Sequence, residues 1–183
     1  MGAGNKIQSL SGSGRLILQN EISILTSGLS GKDDEFSGVI SGDGGFTKVG
    51  NGTTTFSGAN IYTGETKIRE GTIKLGSAKG IPQTSAATVE AGATLDLNDQ
   101  SPVIDSITLN GGDGSGTLDN ILNTTARIQG GELTGTITSN GGLLSGITGA
   151  NATLNANRGR TFLRDGVNLG SGSLTGGQFW AVD

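Results

Sequence analysis

Short stretches of alternating polar and apolar residues recur along this chain, and turns that contain glycine separate them. Residues 15–18 and 21–25 show the alternation, and it is clearest at residues 72–75 and 94–97. The side chains there that share the apolar face are Ile73, Leu75, Leu95 and Leu97. Because side chains of a strand point alternately to its two faces, each stretch predicts a short strand with one buried face. The sequence therefore predicts an all-β fold.

The composition rules out a large conventional core. Of the 183 residues, 35 are glycine, 32% are hydrophobic and 4% are aromatic. The glycines lack the three-residue period of collagen, and no long helix is predicted because apolar residues do not recur at helical spacing. Disorder is also disfavoured, since charged residues make up only 15% of the chain and there are two prolines.

Internal repeats indicate a solenoid, in which each unit buries its apolar face only against its neighbours. The string Gly-Ser-Gly-x-Leu occurs at residues 12–16, 114–118 and 170–174. If each coil uses on the order of 20 residues, the chain makes about nine rungs. Asn-Gly turns such as Asn51-Gly52 also suit hairpins, so an antiparallel sandwich is the alternative fold.

Residues 45–64 carry a recognisable longer motif, Gly-Phe-Thr-Lys-Val-Gly-Asn-Gly-Thr-Thr-Thr-Phe-Ser-Gly-Ala-Asn-Ile-Tyr-Thr-Gly. Residues 65–75 and 89–97 extend it, and residues 36–42 look like its usual lead-in. This segment resembles the passenger-associated transport repeat of bacterial autotransporters, also called the autotransporter-associated β-strand repeat. The resemblance implies a right-handed parallel β-helix that is a fragment of a longer rod.

The resemblance also predicts how the chain is organised and where it works. We expect one β-helix segment over residues 1–183, with the passenger repeat block at 7–110 and more divergent rungs at 111–183. The implied role is a structural stalk, displayed on the bacterial cell surface or secreted by type V secretion, that supports folding and presents an adhesin or virulence function. No signal peptide or translocator barrel is found in these residues, so both are expected elsewhere in a parent protein.

The expected partners follow from that role. They are the outer-membrane translocator barrel of the parent and, at the surface, a host-cell receptor, a matrix protein or a glycan. The unpaired ends of a parallel β-helix also predict end-to-end self-association. Nucleic acid is excluded as a partner, because the net charge is −4 and the 12 Lys and Arg residues are thinly spread.

No enzymatic activity, cofactor or metal is expected. The chain has no histidine and no cysteine, which excludes Ser-His-Asp and Cys-His nucleophile systems and the usual zinc ligands. Two alternatives stay open: a carbohydrate-active β-helix, lyase-like or hydrolase-like, and the scaffold of a secreted toxin passenger. A lyase would use a basic residue to take a proton from an acidic sugar, with arginine steadying the developing charge.

The best candidates for a surface-binding site, catalytic or not, are few. They are Arg158, Arg160, Arg164, Asp165 and Tyr62, the last as an aromatic ring for stacking on sugars. Residues 33–35, Asp-Asp-Glu, are predicted to form an exposed loop between rungs rather than a calcium site. Phe36, Phe46 and Phe56 are predicted to fill the interior.

Overall fold

The computed structural model describes residues 4–98, 100, 102–104, 107–110, 117–121, 127–129, 132–133, 136–139, 142–145, 148–149, 153–164, 166–168 and 171–182. These described residues contain strands and turns but no helix, and therefore no helix long and apolar enough to cross a membrane.

The strands are β1 (Asn5–Ile7), β2 (Arg15–Leu18), β3 (Ile24–Ser27), β4 (Asp34–Phe36), β5 (Val39–Gly42), β6 (Gly45–Lys48), β7 (Thr53–Phe56), β8 (Ile61–Tyr62), β9 (Thr66–Ile68), β10 (Thr72–Leu75), β11 (Ala87–Glu90), β12 (Thr94–Asp96), β13 (Val103–Ile104), β14 (Ile107–Asn110), β15 (Thr117–Ile121), β16 (Arg127–Gln129), β17 (Glu132–Leu133), β18 (Thr136–Ser139), β19 (Gly142–Ser145), β20 (Thr148–Gly149), β21 (Thr153–Arg164) and β22 (Ser173–Ala181).

These strands stack into parallel sheets. Sheet A has six strands in the order β1-β3-β6-β9-β11-β14, and sheet C has three in the order β2-β5-β8. Sheet B has eleven strands and contains the stack β4-β7-β10-β12-β15-β18-β21. The long strand β21 pairs with β18 through its first part and with β19 through its last part. A separate pair joins β17 and β20.

The described strands form a parallel β-solenoid of about six turns. From β2 to β10 the chain enters sheets C, A and B in rotation. Residues that meet on neighbouring turns are about one coil apart in sequence: Ile40 bonds to Asn60, and Asn60 to Gly80, each 20 positions away. This confirms the predicted solenoid. The antiparallel sandwich is excluded for the described strands, because each observed pairing is parallel.

The interior is a set of stacked side-chain columns. Phe36 and Phe56 are register partners in sheet B, and both are buried. Phe46 reaches the same space from sheet A, with its ring 4.9 Å from that of Phe56 in an edge-to-face arrangement. Such a pair adds about 0.5–1.5 kcal/mol to the burial of the two rings. The prediction that these three phenylalanines fill the interior is confirmed.

Glycine makes the corner between sheets A and B possible. Gly28, Gly50 and Gly71 follow β3, β6 and β9 and have positive φ angles of 106°, 70° and 69°. A Cβ atom on Gly50 would collide with the carbonyl oxygen of Gly28, and one on Gly71 with that of Gly50. Both the left-handed conformation and the close stacking of backbones thus require glycine at successive corners.

One local prediction is corrected. Residues 33–35 were expected as an exposed loop, but Asp34–Phe36 forms β4, in which Asp34 is the register partner of Thr54. The half-buried Asp34 also accepts a hydrogen bond from the Leu10 amide through Oδ2, at 2.7 Å. Stacking between turns therefore outweighs the tendency of three adjacent carboxylates to stay fully hydrated.

Candidate functional site

Tyr62 is a core residue and not a surface ligand. Its side chain is 0% exposed, so the prediction that its ring is available for a sugar is wrong. The hydroxyl group hydrogen-bonds to Thr66, whose Oγ1 lies 2.8 Å from Ser85 Oγ, and Ser85 donates to the Gly64 carbonyl. Burial raises the pKa of Tyr62 to about 12, although the hydrogen bonds from Thr66 and Ser85 oppose the shift.

Lys48 is also inside the solenoid. It is 0% exposed, and its ammonium group donates to the carbonyl oxygens of Val49 at 2.8 Å and Gly50 at 2.7 Å. Loss of hydration lowers the pKa of Lys48, while the negative charges of Asp34, Glu70 and Asp33 act in the opposite direction. The ammonium group therefore binds backbone carbonyls of the glycine corner between sheets A and B from inside the solenoid.

Asn60 connects three consecutive turns through one side chain. Its Oδ1 accepts the backbone N–H of Ile40 at 2.8 Å, and its Nδ2 donates to the carbonyl of Gly80 at 2.6 Å. The residue is 3% exposed. Its backbone N–H also donates to the Lys79 carbonyl at 3.0 Å, so the turns at 76–86, which lie between β10 and β11, are held against β8.

The predicted arginine group lies on β21. Arg160 and Arg164 are exposed, and the Arg160 guanidinium is 5.0 Å from the ring centroid of Trp180 on the neighbouring strand β22. The Trp180 side chain is 46% exposed. Arg158 is on the same strand, but its side chain lies outside the described residues, as does Asp165 as a whole. The structure thus supports an exposed arginine and aromatic surface, and its role in binding stays a prediction.

A second exposed surface lies on the outer face of sheet A. A shallow groove there is lined by Ile22, Ile24 and Leu29 at one end and by Lys67 and Arg69 at the other. The three aliphatic side chains are unusually exposed. Lys67 forms an ion pair of 2.7 Å with Glu90. Within the described part of the chain, no group of three or more acidic residues is placed to hold a metal ion.

Comparison with known families identifies the segment around Lys48, Asn60 and Tyr62. Residues 46–75 match the family model of the passenger-associated-transport-repeat. The chain contains a passenger-associated transport repeat. It gives no significant match to any curated protein or any solved structure. The match is shorter than the predicted block at 7–110, so the wider extent of that block stays a prediction.

The passenger-associated transport repeat begins in β6 and ends with β10, and it passes through all three sheets of the solenoid. Together with the solenoid fold, it supports a structural segment of an autotransporter passenger. The interior polar residues Lys48, Asn60 and Tyr62 lie within the repeat, whereas Arg160 and Trp180 lie outside it.

Sequence reasoning missed the interior roles of Lys48 and Asn60. Lys48 is two positions after Phe46, so strand alternation alone places the two side chains on the same face. That signal was available once Phe46 was assigned to the interior. For Asn60 the signal is weaker, since it precedes a strand of only two residues. Its role depends on which backbone groups stack above and below it.

Proposed function

We propose that this chain is a structural segment of a bacterial autotransporter passenger, a stalk at the cell surface that supports secretion, folding and display of an adhesin or virulence function. The observation that carries this proposal is the passenger-associated transport repeat, located on consecutive turns of a parallel solenoid. Its proposed partner during export is the translocator barrel of the parent protein.

The construction of the solenoid suits export in the unfolded state followed by folding from one end. Each turn contacts only adjacent turns, so turns can be added one at a time. Glycine, serine and threonine give the unfolded chain little bulk. The passenger repeat would aid this process because Asn60 bonds its own turn to the turns on both sides of it, which stabilises the stack of these three turns.

A display experiment tests the export role. The whole chain would be placed between a signal peptide and a translocator barrel, and surface display would be measured by accessibility to added protease. We expect display to fall sharply when residues 46–75 are scrambled with their composition unchanged. Scrambling residues 171–182, outside the matched repeat, serves as the control. Equal display of the two scrambled proteins and the original would contradict the role assigned to the repeat.

At the cell surface the proposed partners are a host-cell receptor, a matrix protein or a glycan, and one observation favours a glycan. Trp180 is about half exposed and lies against the Arg160 guanidinium, and aromatic rings beside cationic groups suit sugars with acidic substituents. We propose that this surface binds a glycan without turnover. Glycan-array binding lost in Trp180→Ala and Arg160→Ala, but kept in the exposed control Arg15→Ala, would support this. Turnover of an acidic polysaccharide would instead favour the lyase alternative.

A further inference from the structure

The interior near the corner between sheets A and B is polar on two turns and apolar on the next two. In sheet A, one inward column runs Ser27, Lys48, Ile68, Val89. In sheet B, the column across the corner runs Asp34, Thr54, Ile73, Leu95. The corner thus changes from four polar residues on the earlier turns to four aliphatic residues on the later ones.

Three oxygen atoms at this corner find no hydrogen-bond partner in the protein. They are Ser27 Oγ, Asp34 Oδ1 and Thr54 Oγ1, all buried. The other oxygen of Asp34, Oδ2, is bonded to the Leu10 amide. Buried polar atoms in folded proteins almost always have a partner, either a protein group or an ordered water molecule. Ser27 and Asp34 lie on consecutive strands on the two sides of this corner, and Thr54 is the register partner of Asp34 on the next turn. One molecule at the corner is the simplest common partner for the three oxygens.

Lys48 adds a donor to the same corner. An ammonium group has three N–H donors, and two of them bond to the Val49 and Gly50 carbonyls. Among the carboxylates that favour the charged form of Lys48, Asp34 has the largest influence. The Lys48 Nζ atom lies 3.1 Å from the position that a Cβ atom on Gly28 would take. Gly28 directly follows Ser27, so the third N–H is at the same corner as the unpaired oxygens.

Two side chains at this corner are smaller than those that occupy the same columns on later turns. Ser27 occupies the column position that Ile68 and Val89 fill on later turns, and Thr54 occupies that of Ile73. Serine is shorter than valine or isoleucine, and threonine is shorter than isoleucine, while paired strands generally keep a spacing of about 4.8 Å. A small polar molecule can occupy the volume that the shorter side chains leave.

We propose that one water molecule is bound inside the solenoid at this corner. It donates hydrogen bonds to Asp34 Oδ1 and Ser27 Oγ, and it accepts hydrogen bonds from the Thr54 hydroxyl and the third N–H of Lys48. This arrangement satisfies all four protein groups and joins strands of two turns. A metal ion is disfavoured, because the Lys48 ammonium group would repel it. The assignment depends only on the geometry of the corner and not on the proposed function.

A high-resolution crystal structure and one substitution test the site. We expect a density peak at O–H···O hydrogen-bond distance, about 2.5–3.0 Å, from all three oxygens. Thr54→Val keeps the shape of the side chain but removes the hydroxyl, so it should lower the melting temperature if the hydroxyl is bonded to water. If the hydroxyl were truly unpaired, the same change would raise the melting temperature. Thr55→Val, on the outer face of the same strand, is the matched control.

Three outcomes would overturn the proposal. The first is a corner without density. The second is a melting temperature that rises in Thr54→Val but not in Thr55→Val. The third is a peak with oxygen distances of about 2.3–2.6 Å together with stabilisation by added calcium, which would make the site a cation site. If Thr54→Val does not fold, the density in the unaltered protein still decides.

Discussion

Replacing Asn60 by alanine should destabilise the solenoid more than its single side chain suggests. The change removes a buried bridge and leaves the Ile40 N–H and the Gly80 carbonyl without partners. An unpaired buried polar group costs about 1–3 kcal/mol. Since there are two, we expect a loss of about 3–4 kcal/mol in the free energy of unfolding. For a chain of this size that corresponds to about 10 °C in melting temperature.

Circular dichroism at increasing temperature would measure the loss, and hydrogen exchange would locate it. The Ile40 amide should exchange much faster in Asn60→Ala than in the unaltered protein, while amides in β21 should change little. Asn51→Ala, in an exposed turn, is the control and should stay within about 0.5 kcal/mol of the original protein. A loss below about 1 kcal/mol in Asn60→Ala, or unchanged exchange at Ile40, would show that the bridge does not join the turns.

Two further predictions concern a corner glycine and the buried tyrosine. Gly50→Ala should lower the free energy of unfolding by more than about 1 kcal/mol, because φ is 70° and the added Cβ would collide with Gly28. Urea unfolding would measure this loss. Gly14→Ala, where the Cβ meets open space, is the control and should change the free energy of unfolding only slightly. The pKa of Tyr62 rises from 10.0 to about 12 on folding. The protonated hydroxyl group therefore contributes on the order of 2–3 kcal/mol to the free energy of unfolding. This contribution is fully present below pH 10 and is lost as the pH rises through 12. Subtracting the pH profile of Tyr62→Phe should isolate that loss, and identical profiles above pH 10 would refute it.

Much of the strand pattern follows from local sequence. Residues 15–18 and 72–75, expected as strands from their alternation, are strands with those limits. The limits of β3 are less well predicted: alternation suggested residues 21–25, whereas the strand is Ile24–Ser27. Alternation shows that a strand forms, because one face of the strand lies in the apolar interior and the other lies in water. It does not show where a strand ends, because that is decided by pairing with the next turn.

The sequence by itself predicted short strands, a repeat architecture and a passenger repeat, because these are expressed in local alternation, glycine turns and a long motif. The tertiary structure excluded the antiparallel sandwich, because the described strands pair in parallel. Only the tertiary structure decided which polar residues lie inside. Asn60 and Tyr62 border or belong to a two-residue strand, too short for alternation to assign a face. Their positions depend on groups one coil away, such as Ile40, Gly80 and Ser85. A polar side chain can be buried there because stacking of the turns brings those partners to it, and such partners are not visible in the neighbouring sequence.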